Sequence, residues 1–145
     1  APRRPSPPIS TGMRLAGARL AGARFAGASI EGSFAKVDAP GSVWEGAKLP
    51  GADFSGAKLP KSEFSGADLE AATFEGADLR HTRFAGAKLR KARFCRANLF
   101  RSTLEKADLT GADLSRSNLY EAETFEAVTA GARLDGANLK RSRLS

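Results

Sequence analysis

Ala67-Asp68-Leu69-Glu70-Ala71 is followed at once by Ala72-Thr73-Phe74-Glu75-Gly76 and then by Ala77-Asp78-Leu79-Arg80-His81. Each block places a small residue first and a large apolar residue third, so the pattern recurs with a period of five. Reading outward, every fifth position from Trp44 to Leu144 is large and apolar except Thr124 and Thr129, and no insertion interrupts the series. A helix repeats near 3.6 residues and a strand near 2, so neither element produces this spacing. A short fixed period is the mark of a repeat architecture.

Blocks such as Ala67-Asp68-Leu69-Glu70-Ala71 and Ala107-Asp108-Leu109-Thr110-Gly111 resemble the A(D/N)LXX unit of the pentapeptide-repeat family, and the resemblance extends over residues 12–145. It implies an all-β fold, a right-handed four-sided parallel β-helix (a solenoid) of about six to seven coils with 20 residues each. Four pentapeptides make one coil, so residues 20 apart stack. The central Leu or Phe and the small residue two before it point inward, and the other three positions face solvent.

Charge tests that stacking independently. Like charges facing each other across strands are destabilising, so signs should alternate along each face. They do so in the series Lys48, Asp68, Lys88, Asp108; in Asp38, Lys58, Asp78; in Arg93, Asp113, Arg133; and in Arg101, Glu121, Arg141. Glu63 meets Arg83, Glu70 meets Arg90, Lys106 meets Glu126 and Glu123 meets Arg143, while Arg96 over Arg116 is the exception. Phe54, Phe74 and Phe94 fall on one face, Phe64 and Phe84 on the opposite one.

The organisation expected along the chain has two parts. Residues 1–12 hold four of the seven prolines and read as an extended arm. Residues 13–145 read as the β-helix, with an irregular coil or projecting loop near 31–45. There the spacing from Ile30 to Phe34 drops to four, and Pro40-Gly41 is a turn signal. Pro50 and Pro60 follow their central leucines and should sit at corners, where a ladder donor is not needed.

Composition narrows the function. The net charge is +7, which invites an anionic partner, but interleaved acids should neutralise much of it axially. Residues 80–101 form the most basic segment, a girdle with Arg80, Arg83, Arg90, Arg96 and Arg101 among its cations. A narrow stack of Leu, Phe and Ala leaves no room for a substrate cavity, and there is no carboxylate pair, nucleophile with a base, or phosphate loop. The expectation is therefore a non-enzyme with no cofactor, no metal and no small-molecule substrate. Cys95 should be an exposed, incidental thiol, and His81 should project outward near Arg80, Arg83 and Arg101 without partners for a metal site.

The candidate contact surface is Phe100 and Tyr120, 20 apart and expected to stack in the open, with Phe125 either exposed on the next face or turned inward beside Thr124. These residues and the basic girdle point to other proteins as partners: a structural or interaction module, a scaffold or accessory subunit docking on a larger assembly. The family resemblance suggests a photosynthetic one, peripheral to a membrane complex. The start at Ala1 resembles a processed chain of the thylakoid-lumen type, with the cytoplasm as the other compartment. An end-to-end homodimer is a further expectation. Two alternatives stand beside this: a topoisomerase-binding DNA mimic, which +7 disfavours, and a nucleic-acid binder acting through residues 80–101.

Overall fold

The computed structural model describes residues 10–144. Every fifth residue turns a corner. The carbonyl of each central residue accepts a hydrogen bond from the amide three residues on, as in Ala57 N–H to Phe54 O at 3.0 Å and Ala67 N–H to Phe64 O at 3.0 Å. The second turn residue always has positive φ, for example Gly56 at 65° and Gly66 at 68°. This is a type II turn, which favours glycine there. Where Lys, Arg or Ala stands instead (Ala71 at 58°, Lys91 at 57°), the left-handed conformation is held against its intrinsic cost by the ladder on both sides.

Between corners, each side of the coil is too short for a named strand. Single parallel bridges link one coil to the next, and their register is 20: Lys48 to Asp68 to Lys88 to Asp108 to Val128, and Asn98 to Asn118 to Asn138. The amide of each central residue donates to the coil above, as Leu69 N–H does to Lys88 O at 2.8 Å. The amide before it donates to the coil below, as Asp68 N–H does to Ala47 O at 2.8 Å.

The register begins differently. Ser10 pairs with Ile30, but Met13 pairs with Gly32, Arg19 with Asp38 and Arg24 with Val43, a spacing of 19, and from Ser33 with Asp53 onward it is 20. The four-residue step from Ile30 to Phe34 is the cause. With one residue fewer, the two-residue turn is gone and the chain passes straight through as β2 (Ile30–Ser33). It pairs in parallel with β1 (Ser10–Arg14). Residues 34–45 do not project: Asp38 bridges Lys58, Val43 bridges Glu63, and Pro40-Gly41 makes an ordinary corner. Of the two alternatives for 31–45, no loop projects; a corner straightens and the coil is one residue short. Of the expected 1–12 arm, residues 10–12 belong instead to β1, paired with β2, and residues 1–9 lie outside the described residues.

The interior is filled by ladders of like side chains. Phe34, Phe54, Phe74 and Phe94 stack with centroids 4.8, 5.1 and 5.0 Å apart and planes within 11°. Trp44, Phe64 and Phe84 form the opposite ladder at 5.7 and 5.2 Å. The two ladders meet edge to face, as in Phe64 against Phe74 at 5.7 Å. Each such pair adds about 0.5–1.5 kcal/mol beyond area burial. Leucines fill the other two sides, and the small positions bury alanine or a hydroxyl; Thr82 Oγ1 finds a partner, donating to Leu59 O at 2.6 Å, but Ser102 Oγ has none among the described residues.

The second corner amide also donates to the coil above, as Gly56 N–H does to Glu75 O at 2.7 Å, so one backbone amide per repeat is left without a place, that of the residue after the centre. Where Asp or Asn precedes the centre, its side chain usually accepts that amide: Asp53 from Ser55 at 2.9 Å, Asp113 from Ser115 at 3.0 Å, Asn118 from Tyr120 at 3.1 Å. This two-residue reach is an Asx turn. Where Lys48 and Lys58 stand and cannot accept, the residue after the centre is Pro50 or Pro60, which has no amide hydrogen to place. Asp53→Ala should therefore lower the stability by about 1 kcal/mol, and Lys58→Ala by less than about 0.5 kcal/mol. Urea unfolding midpoints measure the difference, and equal midpoints would refute the cap. Leu89→Asp, which buries an unpaired charge at a fully enclosed position, should abolish the cooperative unfolding transition seen by circular dichroism.

Candidate protein-interaction edge

The corners after Leu59, Leu79, Leu99, Leu119 and Leu139 stack into one edge of the solenoid. Type II geometry turns both corner residues outward, so the edge presents Lys61, Arg80, His81, Phe100, Arg101, Tyr120, Glu121, Lys140 and Arg141. Phe100 and Tyr120 lie parallel, centroids 5.9 Å apart and planes 4° apart. The His81 ring meets Phe100 edge-on at 5.7 Å, and the Arg101 guanidinium carbon lies 5.4 Å from the Phe100 centroid. The rings are half-buried rather than fully open, because each covers its neighbour and Arg101 covers Phe100.

Charge on the edge is organised around Glu121. Its carboxylate accepts from Arg101 Nε at 3.0 Å and from Arg141 Nη1 at 3.3 Å. Desolvation opposes ionisation of Glu121, yet the two arginines outweigh it and hold its carboxyl below the usual range. Arg80 forms a two-pronged pair with Asp78, at 2.8 and 2.7 Å, which lowers the Asp78 pKa and raises that of Arg80. Beside the edge, Asn98, Asn118 and Asn138 form a ladder of amide hydrogen bonds at 3.2 and 3.3 Å.

The other candidates lie elsewhere. Arg83 is on the adjoining face, 3.9 Å from Glu63. Arg90 and Arg96 occupy two other edges; Arg90 pairs with Asp108 at 3.4 Å. Phe125 stays outward on the next corner, 60% exposed, while Thr124 Oγ1 donates to the Ser142 carbonyl. Phe125 borders an open groove of about 690 Å³ with Glu121, Glu123 and Arg143. Cys95 is half-buried rather than exposed; burial and then Asp113 push its thiol pKa up.

The axial charge series has the expected register but not always the expected partners. Arg101–Glu121–Arg141 and Glu63–Arg83 pair across 20 residues. Glu70–Arg90, Lys106–Glu126 and Glu123–Arg143 form no ion pair among the described residues; Arg90 turns to Asp108, and Arg93 to Glu75 at 2.6 Å. The face carboxylates are aimed into their own turns. Hydrogen bonds from Thr110 to Asp108 and from Ser115 to Asp113 keep both carboxyls below their ordinary pKa. Sequence reasoning had missed these caps, although the Asp and Asn of the repeat unit signal them.

The chain belongs to the pentapeptide repeat family, whose model matches it in eight copies across residues 33–62, 45–76, 62–99, 77–116 and 97–123. Membership carries a right-handed quadrilateral β-helix and, in general, a non-enzymatic structural module. Three solved structures are similar. The pentapeptide repeat protein Rfr23 from the cyanobacterium Cyanothece 51142 is 21% identical, with 83% of this chain and 90% of that one covered and a TM-score of 0.48. The plasmid-mediated fluoroquinolone resistance protein QnrB1 is 26% identical over 87% and 69%, with a TM-score of 0.45. A pentapeptide repeat protein from the Arabidopsis thaliana thylakoid lumen is 28% identical over 71% and 66%, with a TM-score of 0.37. No curated protein matches the chain in sequence. No helix among the described residues is long and apolar enough to cross a membrane.

The depressed carboxyls predict acid sensitivity. A folded pKa below the unfolded one contributes stability above the unfolded value and loses it as the pH falls through the folded value. Asp78, Asp108 and Asp113 all start from 3.8, so their contribution is intact at neutral pH and declines below about pH 4. Unfolding midpoints at pH 7, 4 and 3 should fall in that order, and Asp113→Asn should flatten the fall.

Proposed function

We propose that this chain is a non-catalytic interaction module, a scaffold or accessory subunit that docks on a larger protein assembly through the Phe100–Tyr120 edge. The observation that carries the reading is the pair of parallel rings at an outward corner, flanked by Arg101 and Arg141. A core needs no aromatic there, and aromatics grouped on a surface with arginine are the composition of interface centres. Repeat proteins of this class mediate protein interactions. A solenoid of about six to seven coils, joined at its start by β1 from Ser10, is the rod that would present the edge. A photosynthetic assembly is the specific form suggested by family analogy. Ion pairing weakens the nucleic-acid reading of residues 80–101. Arg80, Arg83, Arg90, Arg93 and Arg101 each have a carboxylate within 3.9 Å.

The test is native affinity capture from the source, with mass spectrometry of the retained proteins. Wild type should retain a fixed set at constant ratio. Phe100→Ser with Tyr120→Ser should retain none of it while unfolding at nearly the same temperature. Full retention by the double variant sinks the edge as the docking site.

A further inference from the structure

We infer that the Phe100–Tyr120 edge receives an extended acidic polypeptide segment running along the solenoid axis; this rests on reading that edge as a docking surface. Three features of the edge specify the chemistry.

The first is the balance of charge. The corner residues of this edge include Lys61, Arg80, Arg101, Lys140 and Arg141 against one acid, Glu121, with Asp78 beside them. The edge that follows it around the coil has the opposite balance, with Glu45, Glu105 and Glu126 against Lys106. The net positive charge is therefore gathered unevenly, and Lys61 and Lys140 have no ion-pair partner among the described residues.

The second is the orientation of the rings. Phe100 and Tyr120 stack on each other along the axis, which covers one face of each, and His81 and Arg101 lie against Phe100. What they turn sideways to a partner is ring edge, the positive part of the aromatic quadrupole. Ring edges and guanidinium groups both attract carboxylate oxygens. Nucleobases need open ring faces on which to stack, and this edge offers few.

The third is spacing. Coils rise by about 4.8 Å, so the four steps from Lys61 to Arg141 span about 19 Å. An extended chain covers that length with about six residues. A shorter acidic peptide cannot reach all the cations.

Glu121 supplies the sharpest test, because it occupies Arg101 and Arg141 itself. Neutralising it frees both guanidiniums for a partner. Binding to the full chain would be read by fluorescence anisotropy with four labelled probes: an eight-residue peptide alternating Glu and Ala, its three-residue form, its Lys counterpart, and a 20-nucleotide oligothymidylate. The eight-residue acidic peptide should bind, the three-residue and Lys peptides should not, and salt should weaken the complex. Arg101→Ala with Arg141→Ala should weaken it by about tenfold, and Glu121→Gln should tighten it by about threefold. A gain of binding cannot come from misfolding.

Equal binding of the long and short acidic peptides, no tightening in Glu121→Gln, or preference for the oligothymidylate would each overturn the inference. If Phe100→Ser with Tyr120→Ser loses its natural partners while no acidic peptide binds, docking stands and the acidic chemistry is wrong. If acidic peptides bind as expected but the double variant keeps all its natural partners, the docking reading is what fails.

Discussion

The structure depends on hydrogen bonds between coils held in a 20-residue register. Each central amide donates upward and each preceding amide donates downward, so a coil is stable only between neighbours. A slip of one residue would move every Leu and Phe from the interior to the surface. The register is protected from both sides: ring ladders on the inside stack only when coils align, and alternating charges on the outside repel when they do not. Surface ion pairs are individually worth only about 0–1 kcal/mol. Their value here lies in selecting one alignment among several.

The same register explains the repeat unit residue by residue. The corner leaves one amide without a ladder partner, and a short acceptor two residues earlier is the cheapest way to satisfy it. Asp and Asn do this in most coils, and proline removes the need after Lys48 and Lys58. The carboxylates are therefore turn caps first and ion-pair partners second. That order accounts for Asp108 turning to Thr110 and Arg90 while Lys88, bridged beside it, is left without an ion pair among the described residues.

Corners are where such a solenoid can vary without disturbing its core. Corner side chains stay out of the ring ladders, and the corner backbone bonds to the next coil whatever the side chain, as Arg101 N–H does to Tyr120 O at 3.0 Å. Four edges of different character result, one basic and aromatic, the next acidic. On the proposed docking function, recognition would turn on which edge meets the partner, while the interior supplies rigidity. The half-burial of Phe100 and Tyr120 fits that division: stacked rings are already ordered and would lose little side-chain freedom on binding.

The sequence by itself determined what periodicity can carry. The period of five pointed to a repeat architecture, the alternation of charge supported the 20-residue coil that the family resemblance implied, and the 20-residue interval between Phe100 and Tyr120 put the two rings on one edge. All of these depend on spacing, read with the resemblance. Only the tertiary structure decided where a missing residue is absorbed, namely in β2, where a corner straightens and the coil shortens to 19. It also decided that Asp and Asn close their own turns, that Arg90 and Arg93 reach sideways across coils, and that Phe125 remains outside. The physical reason is the same in each case. Spacing says which residues are neighbours, but the partner a side chain takes depends on which backbone groups the assembled coils leave unpaired.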